Sequence, residues 1–133
     1  MIMEKRDIKI LIVEDDVMLN KIYQTKLGLL GYSVYSSYDG DEGLKKADDL
    51  MPDLILLDLM LPKKNGFEVL ETLKQNLKLN HIPVIILSNL GQEADISKAM
   101  QLGAVDFLVK SNVKLESVIS KVEDILQKNV KGV

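Results

Sequence analysis

Four short polar clusters interrupt or close the apolar runs of this sequence, and together they offer carboxylates, hydroxyls and an ammonium group. Glu14-Asp15-Asp16 ends the run that begins at Ile8. Asp58 stands between Leu54-Ile55-Leu56-Leu57 and Leu59-Met60-Leu61, while Ser88-Asn89 and Lys110-Ser111 close two later runs. An ionised Asp buried without a partner costs several kcal/mol (roughly), so Asp58 needs a cation or an opening to solvent. Adjacent carboxylates repel one another, and hard oxygen ligands with space for water suit Mg²⁺, with Mn²⁺ as the alternative. An ion held by Glu14, Asp15 and Asp58 would bind an incoming phosphoryl oxygen. Lys110 would supply a point positive charge and Ser88 a hydroxyl for the other phosphoryl oxygens. Attack of a carboxylate on phosphorus gives an aspartyl phosphate, and the protein's share of that reaction is positioning and charge neutralisation.

Such convergence requires elements that bring the clusters to one place. The apolar pattern alternates between two periods. Residues 8–13, 32–36, 53–58, 82–87 and 105–109 read as strands. Helical spacing starts at Val17 and carries Leu19, Ile22, Tyr23, Leu27 and Leu30 to a stop at Gly31. Asp39 with Glu42 and Asn65 with Glu68 are cap-like pairs opening two more helices. Pro52 ends the first of these, and the second runs to about Asn76. A short helix over 93–102 closes at Gly103, and Leu115, Val118, Ile119, Val122, Ile125 and Leu126 mark the last one. Strict strand–helix alternation implies a parallel sheet covered on both faces, with the doubly apolar third and fourth strands at its centre. In such a sheet ligands bind beyond the carboxyl ends of the strands, where the strand order switches. Glu14-Asp15-Asp16, Asp58, Ser88-Asn89 and Lys110-Ser111 all fall at those ends. The second strand brings only Ser36 and Ser37, which places it at the outside.

The bulk properties exclude several classes. The chain has 133 residues, 47% apolar and 28% charged, and reads as a single domain over 1–133. A net charge of −3 argues against a nucleic-acid surface. The absence of cysteine rules out disulfides and thiolate chemistry and suits a reducing, cytoplasmic setting. No apolar run is long enough for a membrane span, and six residues are too few for a signal-peptide core.

Taken singly, the polar residues have plainer readings. Asp16 serves as a helix cap, Ser88 as a turn residue and Lys110 as a solvated loop lysine. Asp58, flanked by apolar residues on both sides, resists such a reading. His81 lies at the opposite end of the fourth strand, away from the cluster, and Met18, Met51, Met60 and Met100 read as core or loop filler.

With these residues in hand, the chain resembles the response-regulator receiver domain, the CheY-like fold, over nearly its whole length. The resemblance implies a flavodoxin-like, doubly wound five-stranded sheet of order 2-1-3-4-5. The family's acidic pair matches Glu14 and Asp15, its phosphoacceptor Asp58, its hydroxyl Ser88 and its lysine Lys110. Asp58-x-x-x-Pro62-x-x-x-Gly66 reproduces its loop after the third strand, in which Met60 would give the metal a backbone carbonyl. Ser88, Asn89, Phe107 and Lys110 form the implied phosphoryl-binding and switch set. The implied role is a two-component signalling module without an output domain, not an enzyme on other substrates. A sensor histidine kinase or phosphotransfer protein would phosphorylate Asp58. Ser88 and Phe107 would then move, and the face made by the fourth helix, fifth strand and fifth helix would bind a downstream protein. Neither nucleic acid nor membrane is contacted directly.

The chain departs from the family pattern in three places. Ser111 replaces the usual Pro after the lysine, requiring either a non-proline cis bond or a rebuilt loop. Phe107 lacks the hydroxyl of the commoner Tyr. Met60 and Leu90, two residues after Asp58 and Ser88, cannot orient an attacking water, which implies slow loss of the phosphoryl group. Two rivals stand beside this reading: a degenerate receiver that only docks partners, and an aspartate-nucleophile phosphatase. The phosphatase chemistry needs a second Asp where Met60 stands. A nucleotide-binding reading fails because the first turn is Glu-Asp-Asp with no Gly-rich cradle.

Overall fold

The computed structural model describes residues 4–131. In chain order the main elements are β1 (Lys9–Val13), α1 (Val17–Leu29), β2 (Ser33–Ser37), α2 (Gly40–Leu50), β3 (Leu54–Leu57), α3 (Gly66–Gln75), β4 (Val84–Ser88), α4 (Glu93–Gln101), β5 (Asp106–Val109) and α5 (Leu115–Lys131). All pairings are parallel, in the order β2-β1-β3-β4-β5. This is the CheY-like, flavodoxin-type order that the resemblance implies, and β2 lies at one edge, as its lack of site residues suggested. The order reverses at β1, which lies between β2 and β3, so the ends of β1 and β3 flank the switch point.

Strand pleating divides the core into two layers. Leu11, Val13, Ile55, Leu57, Val84 and Ile86 face one way and pack with Ala47, Val69, Leu70, Leu73 and Ala99 of α2, α3 and α4. Ile10, Ile12, Leu54, Leu56, Ile85 and Leu87 face the other way, against Tyr23 and Leu27 of α1 and Val118, Val122 and Leu126 of α5. Every residue of β3 is buried, as a central strand covered on both faces must be.

Local chemistry sets the element ends. Asp16, Asp39 and Asn65 cap α1, α2 and α3 by accepting from the N–H groups of Leu19, Glu42 and Glu68. Gly31 closes α1 with φ +105°, and the Tyr32 N–H returns to the Leu27 carbonyl at 3.3 Å. This exit turn starts β2 one residue later than the sequence pattern suggested. β4 begins at Val84 because the Ile82 N–H bonds back to Leu79 and Pro83 has none to give. It extends to Ser88, which pairs with Val109.

Two short 3₁₀ turns, Lys5–Asp7 and Lys110–Asn112, carry no periodic signal and were not anticipated. The second resolves the Ser111 question. No described peptide bond is cis, and the loop after Lys110 is rebuilt as a turn. The methionines correct the core half of their expectation, whereas Met51 and Met60 do lie in loops. Met18, Met51, Met60 and Met100 are all substantially exposed, and none fills the core. His81 is exposed at the far end of β4, as expected.

Candidate functional site

The ends of β1, β3 and β5 meet around one ammonium group. Glu14 follows β1 and Asp58 follows β3. The Asp58 N–H donates to Val13 O at 3.0 Å and the Glu14 N–H to Ser37 O at 3.0 Å, so both acids are extensions of the sheet ladder. Lys110, just beyond β5, reaches across to them. Its Nζ lies 2.8 Å from Asp58 Oδ2 and also pairs directly with Glu14 Oε1. Glu14 and Asp58 are 3% and 5% exposed, so this pairing answers the cost of burying them. Asp15 stays exposed at the mouth.

Side-chain oxygens of Glu14, Asp15 and Asp58 all lie within 4.8 Å of one another. Three hard oxygen donors with one side open to solvent fit a divalent cation such as Mg²⁺, and the acidic pocket could bind one. The remaining contacts show how the acids are held. Glu14 Oε2 accepts the Asp16 N–H at 3.1 Å, and Asp58 Oδ1 accepts the Met60 N–H at 3.1 Å. Burial drives the Glu14 pKa up to about 7, against the lowering influence of Lys110 and the Asp16 N–H. Burial works against the charged form of Lys110, yet its bonds to Asp58 and Glu14 outweigh this and raise its pKa.

The other expected site residues are near but not all engaged. Ser88 is fully buried at the end of β4, where its Oγ accepts the Leu90 N–H at 3.3 Å. Asn89 is exposed. Among the described residues neither hydrogen-bonds to Asp58. Phe107 and Leu90 are half-buried against the core layer of α2, α3 and α4. Met60 is 56% exposed beside the acids. The Asp16 side chain caps α1, and its backbone N–H holds Glu14 Oε2.

One support, Asn20, escapes the sequence reading, and a second is legible there only as the Pro62 and Gly66 spacing after Asp58. Asn20 on α1 is fully buried, and its Nδ2 donates to the carbonyls of Glu14 (2.9 Å) and Ser37 (3.2 Å), tying the acidic loop to β2. A polar residue on the buried face of α1, three before Tyr23 and seven before Leu27, was the available signal. The second support is the loop 58–65. Lys63 adopts φ +68° and pairs with Asp39 at 3.5 Å, and the Gly40 N–H donates to Pro62 O. A Cβ on Gly66 would sit 2.3 Å from Asp58 O, and one on Gly40 would sit 1.9 Å from Lys64 O. Only glycine permits either approach.

A five-stranded parallel sheet of this order, with acids from two strands bridged by a lysine from a third, defines the class of CheY-like α/β domains. The chain belongs to the response regulator receiver domain family, whose model matches residues 10–123. It is 38% identical over 120 residues to the DNA-binding dual master transcriptional regulator RpaA of Synechocystis, covering 90% of this chain and 49% of that protein. It is equally 38% identical, over 121 residues, to the alkaline phosphatase synthesis transcriptional regulatory protein PhoP of Bacillus subtilis, covering 91% of this chain and 49% of that one. A CheY-like receiver domain protein of Methanospirillum hungatei superposes with a TM-score of 0.87 at 25% identity, covering 95% of this chain and 98% of that structure. The chain thus spans about half the length of these curated relatives, both transcriptional regulators. No described helix is long and apolar enough to cross a membrane.

Proposed function

We propose that this receiver domain takes a phosphoryl group onto Asp58 from a sensor histidine kinase or a phosphotransfer protein. Asp58 Oδ attacks phosphorus, the P–N bond of the donor's phosphohistidine breaks, and its electron pair returns to the imidazole. The observation that carries the reading is the Lys110 ammonium, 2.8 Å from Asp58 Oδ2 at the open edge of the sheet. From there it can follow negative charge from the carboxylate onto the transferred group. The Met60 N–H already holds Asp58 Oδ1 and fixes the carboxylate plane. Glu14, Asp15 and Asp58 would hold Mg²⁺, or Mn²⁺, with Met60 supplying a backbone carbonyl. When bound, the ion supplies charge neutralisation for the acids and the phosphoryl oxygens.

Ser88 Oγ, now accepting from Leu90, would turn its O–H to a phosphoryl oxygen, with Asn89 beside it. Phe107 would bury further, and the face of α4, β5 and α5 would present itself to a downstream protein. The domain would promote only its own phosphorylation and dephosphorylation. Coupling of about 1–3 kcal/mol is enough for such a switch. A net charge of −3 supports partners that are proteins and not nucleic acid or membrane lipid, and a cysteine-free chain suits the cytoplasm.

Intact mass after incubation with acetyl phosphate and Mg²⁺ tests this. One added phosphoryl group is expected, and none in Asp58→Ala or in EDTA. Incorporation that survives Asp58→Ala would refute the assignment.

A further inference from the structure

The three acids of the site are not held alike. Glu14 and Asp58 each pair with the Lys110 ammonium, and each accepts a backbone N–H. Asp15 brings an oxygen within 4.8 Å of both. Among the described residues, however, its side chain takes part in no hydrogen bond or ion pair. It is exposed, so only the backbone on either side sets where its carboxylate points. That backbone is anchored from α1. The Glu14 N–H donates to Ser37 O at 3.0 Å, and the Glu14 carbonyl accepts from Asn20 Nδ2 at 2.9 Å. Among the described residues no other group donates to that carbonyl. A carbonyl and the N–H that follows it share one rigid plane, so holding Glu14 O also holds the Asp15 nitrogen and the root of its side chain.

We propose that Asn20 is a positioning residue for divalent-cation binding: its amide fixes the Glu14–Asp15 peptide plane and thereby aims the Asp15 carboxylate at the space between Glu14 and Asp58. This rests on the reading that these three acids hold the ion. An amide suits the task because it carries two N–H donors and one acceptor oxygen. Nδ2 serves both Glu14 O and Ser37 O, the latter at 3.2 Å, while Oδ1 accepts from Gln24 Nε2 at 3.0 Å. With Oδ1 so engaged, the amide is kept from turning over and presenting oxygen to two carbonyls that need donors. The Asn20 backbone N–H bonds to Asp16 O at 2.9 Å, which seats the residue in the first turn of α1. Asn20 is fully buried, so its removal leaves the Glu14 carbonyl short of a partner. The peptide then turns to find one and carries Asp15 with it. Outer residues that orient metal ligands in this way typically govern affinity about as strongly as a weak ligand does.

Titration of the full chain with Mn²⁺, counting free ion by its electron paramagnetic resonance signal, tests the proposal without any phosphoryl donor. Asn20→Ala should bind Mn²⁺ about tenfold more weakly than wild type, and Asp15→Asn should also bind it more weakly. If Asn20 acts through Asp15, the two losses do not add. Asn20→Ala placed in the Asp15→Asn background should then cost no more than about a further twofold. Val122→Ala opens a cavity on fully buried α5 packing and should leave Mn²⁺ affinity within about twofold of wild type, which separates positioning from general loss of stability. An Asn20→Ala affinity equal to wild type, losses at 15 and 20 that add in full, or an equal loss in Val122→Ala overturns the role of Asn20 and leaves the metal reading standing. An Asp15→Asn affinity equal to wild type overturns the metal reading and this inference with it. Gln24→Ala keeps the Asn20 side chain and removes only the group that orients it, with an expected loss of about threefold. Should Asn20→Ala fail to fold, an unchanged affinity in Gln24→Ala overturns the proposal in its place.

Discussion

Lys110 spreads one positive charge over two carboxylates that reach it from different strands, and at Glu14 that charge only partly offsets the effect of burial. Its pKa rises to about 7 from an ordinary 4.5 because it is buried. Between those values the folded protein holds a proton that the unfolded chain has released. Stability contributed by this group is therefore present below about pH 4.5 and is lost as pH rises through 7. In metal-free protein, urea titrations should show this loss as about 1–3 kcal/mol, and Glu14→Gln should remove that slope. An identical slope in the variant would mean that another group carries it. On the proposed function, Met60 and Leu90 would place thioether and hydrocarbon beside the path of a water attacking phosphorus, where neither can orient it by a hydrogen bond. The Met60→Asn, Leu90→Glu double variant should lose its phosphoryl group about tenfold faster, equal to about 1.4 kcal/mol off the barrier. Phosphoprotein decay followed by intact mass measures it, and an unchanged rate counts against the idea.

At the level of the elements, the site depends on how closely α2 and α3 approach the ends of β1 and β3. A Cβ on Gly43 would come 2.9 Å from Val13 Cγ1, and one on Gly66 would strike the Asp58 carbonyl at 2.3 Å. Gly28, near the end of α1, has nothing within 4 Å of the same hypothetical atom. The two glycines should therefore respond oppositely to alanine. Gly28→Ala should stabilise by about 0.5–1 kcal/mol through helix propensity and a less flexible unfolded chain. Gly66→Ala should cost about 3 kcal/mol or more, because the atoms it meets are backbone and cannot swing aside. Denaturant midpoints of the two variants, moving in opposite directions from wild type, are the expected result. Asn20 works at the same scale: one buried amide joins the loop after β1 to the end of β2 and keeps the Glu14 carbonyl in place.

Across the whole molecule, burial is unevenly distributed. β3 is buried throughout and β4 equally so, whereas α4 buries only Ala99 and its first turn lacks a side-chain cap. Local stability should follow that distribution. Native-state hydrogen exchange is expected to show β1, β3 and β4 amides opening only with global unfolding, and α4 amides opening at lower free energy. Uniform protection of α4 at the global value would remove the physical basis for a movable α4 face. The opposite flank of the sheet is better tied. The Tyr32 hydroxyl donates to Glu123 at 2.8 Å, and Lys5 pairs with the same carboxylate, fastening α5 to the start of β2.

Apolar periodicity alone set the element types, their alternation and the parallel sheet, since a strand buried on both faces cannot carry polar residues except at its ends. The same constraint made Asp58 conspicuous and put Glu14, Asp15, Ser88 and Lys110 on one edge. Three-dimensional packing decided the rest. It took one ammonium to bridge two acids 96 and 52 positions away from it in sequence, and the distances involved have no local signature. The role of Asn20, the loop rebuilt at Ser111 and the close approach of Gly66 to the Asp58 carbonyl span fewer residues, yet each depends on backbone geometry that the apolar pattern does not encode. So does the exposure of Met18 and Ile22 on α1, whose residue types match those of a buried face. Only the folded molecule shows which side of a helix meets water.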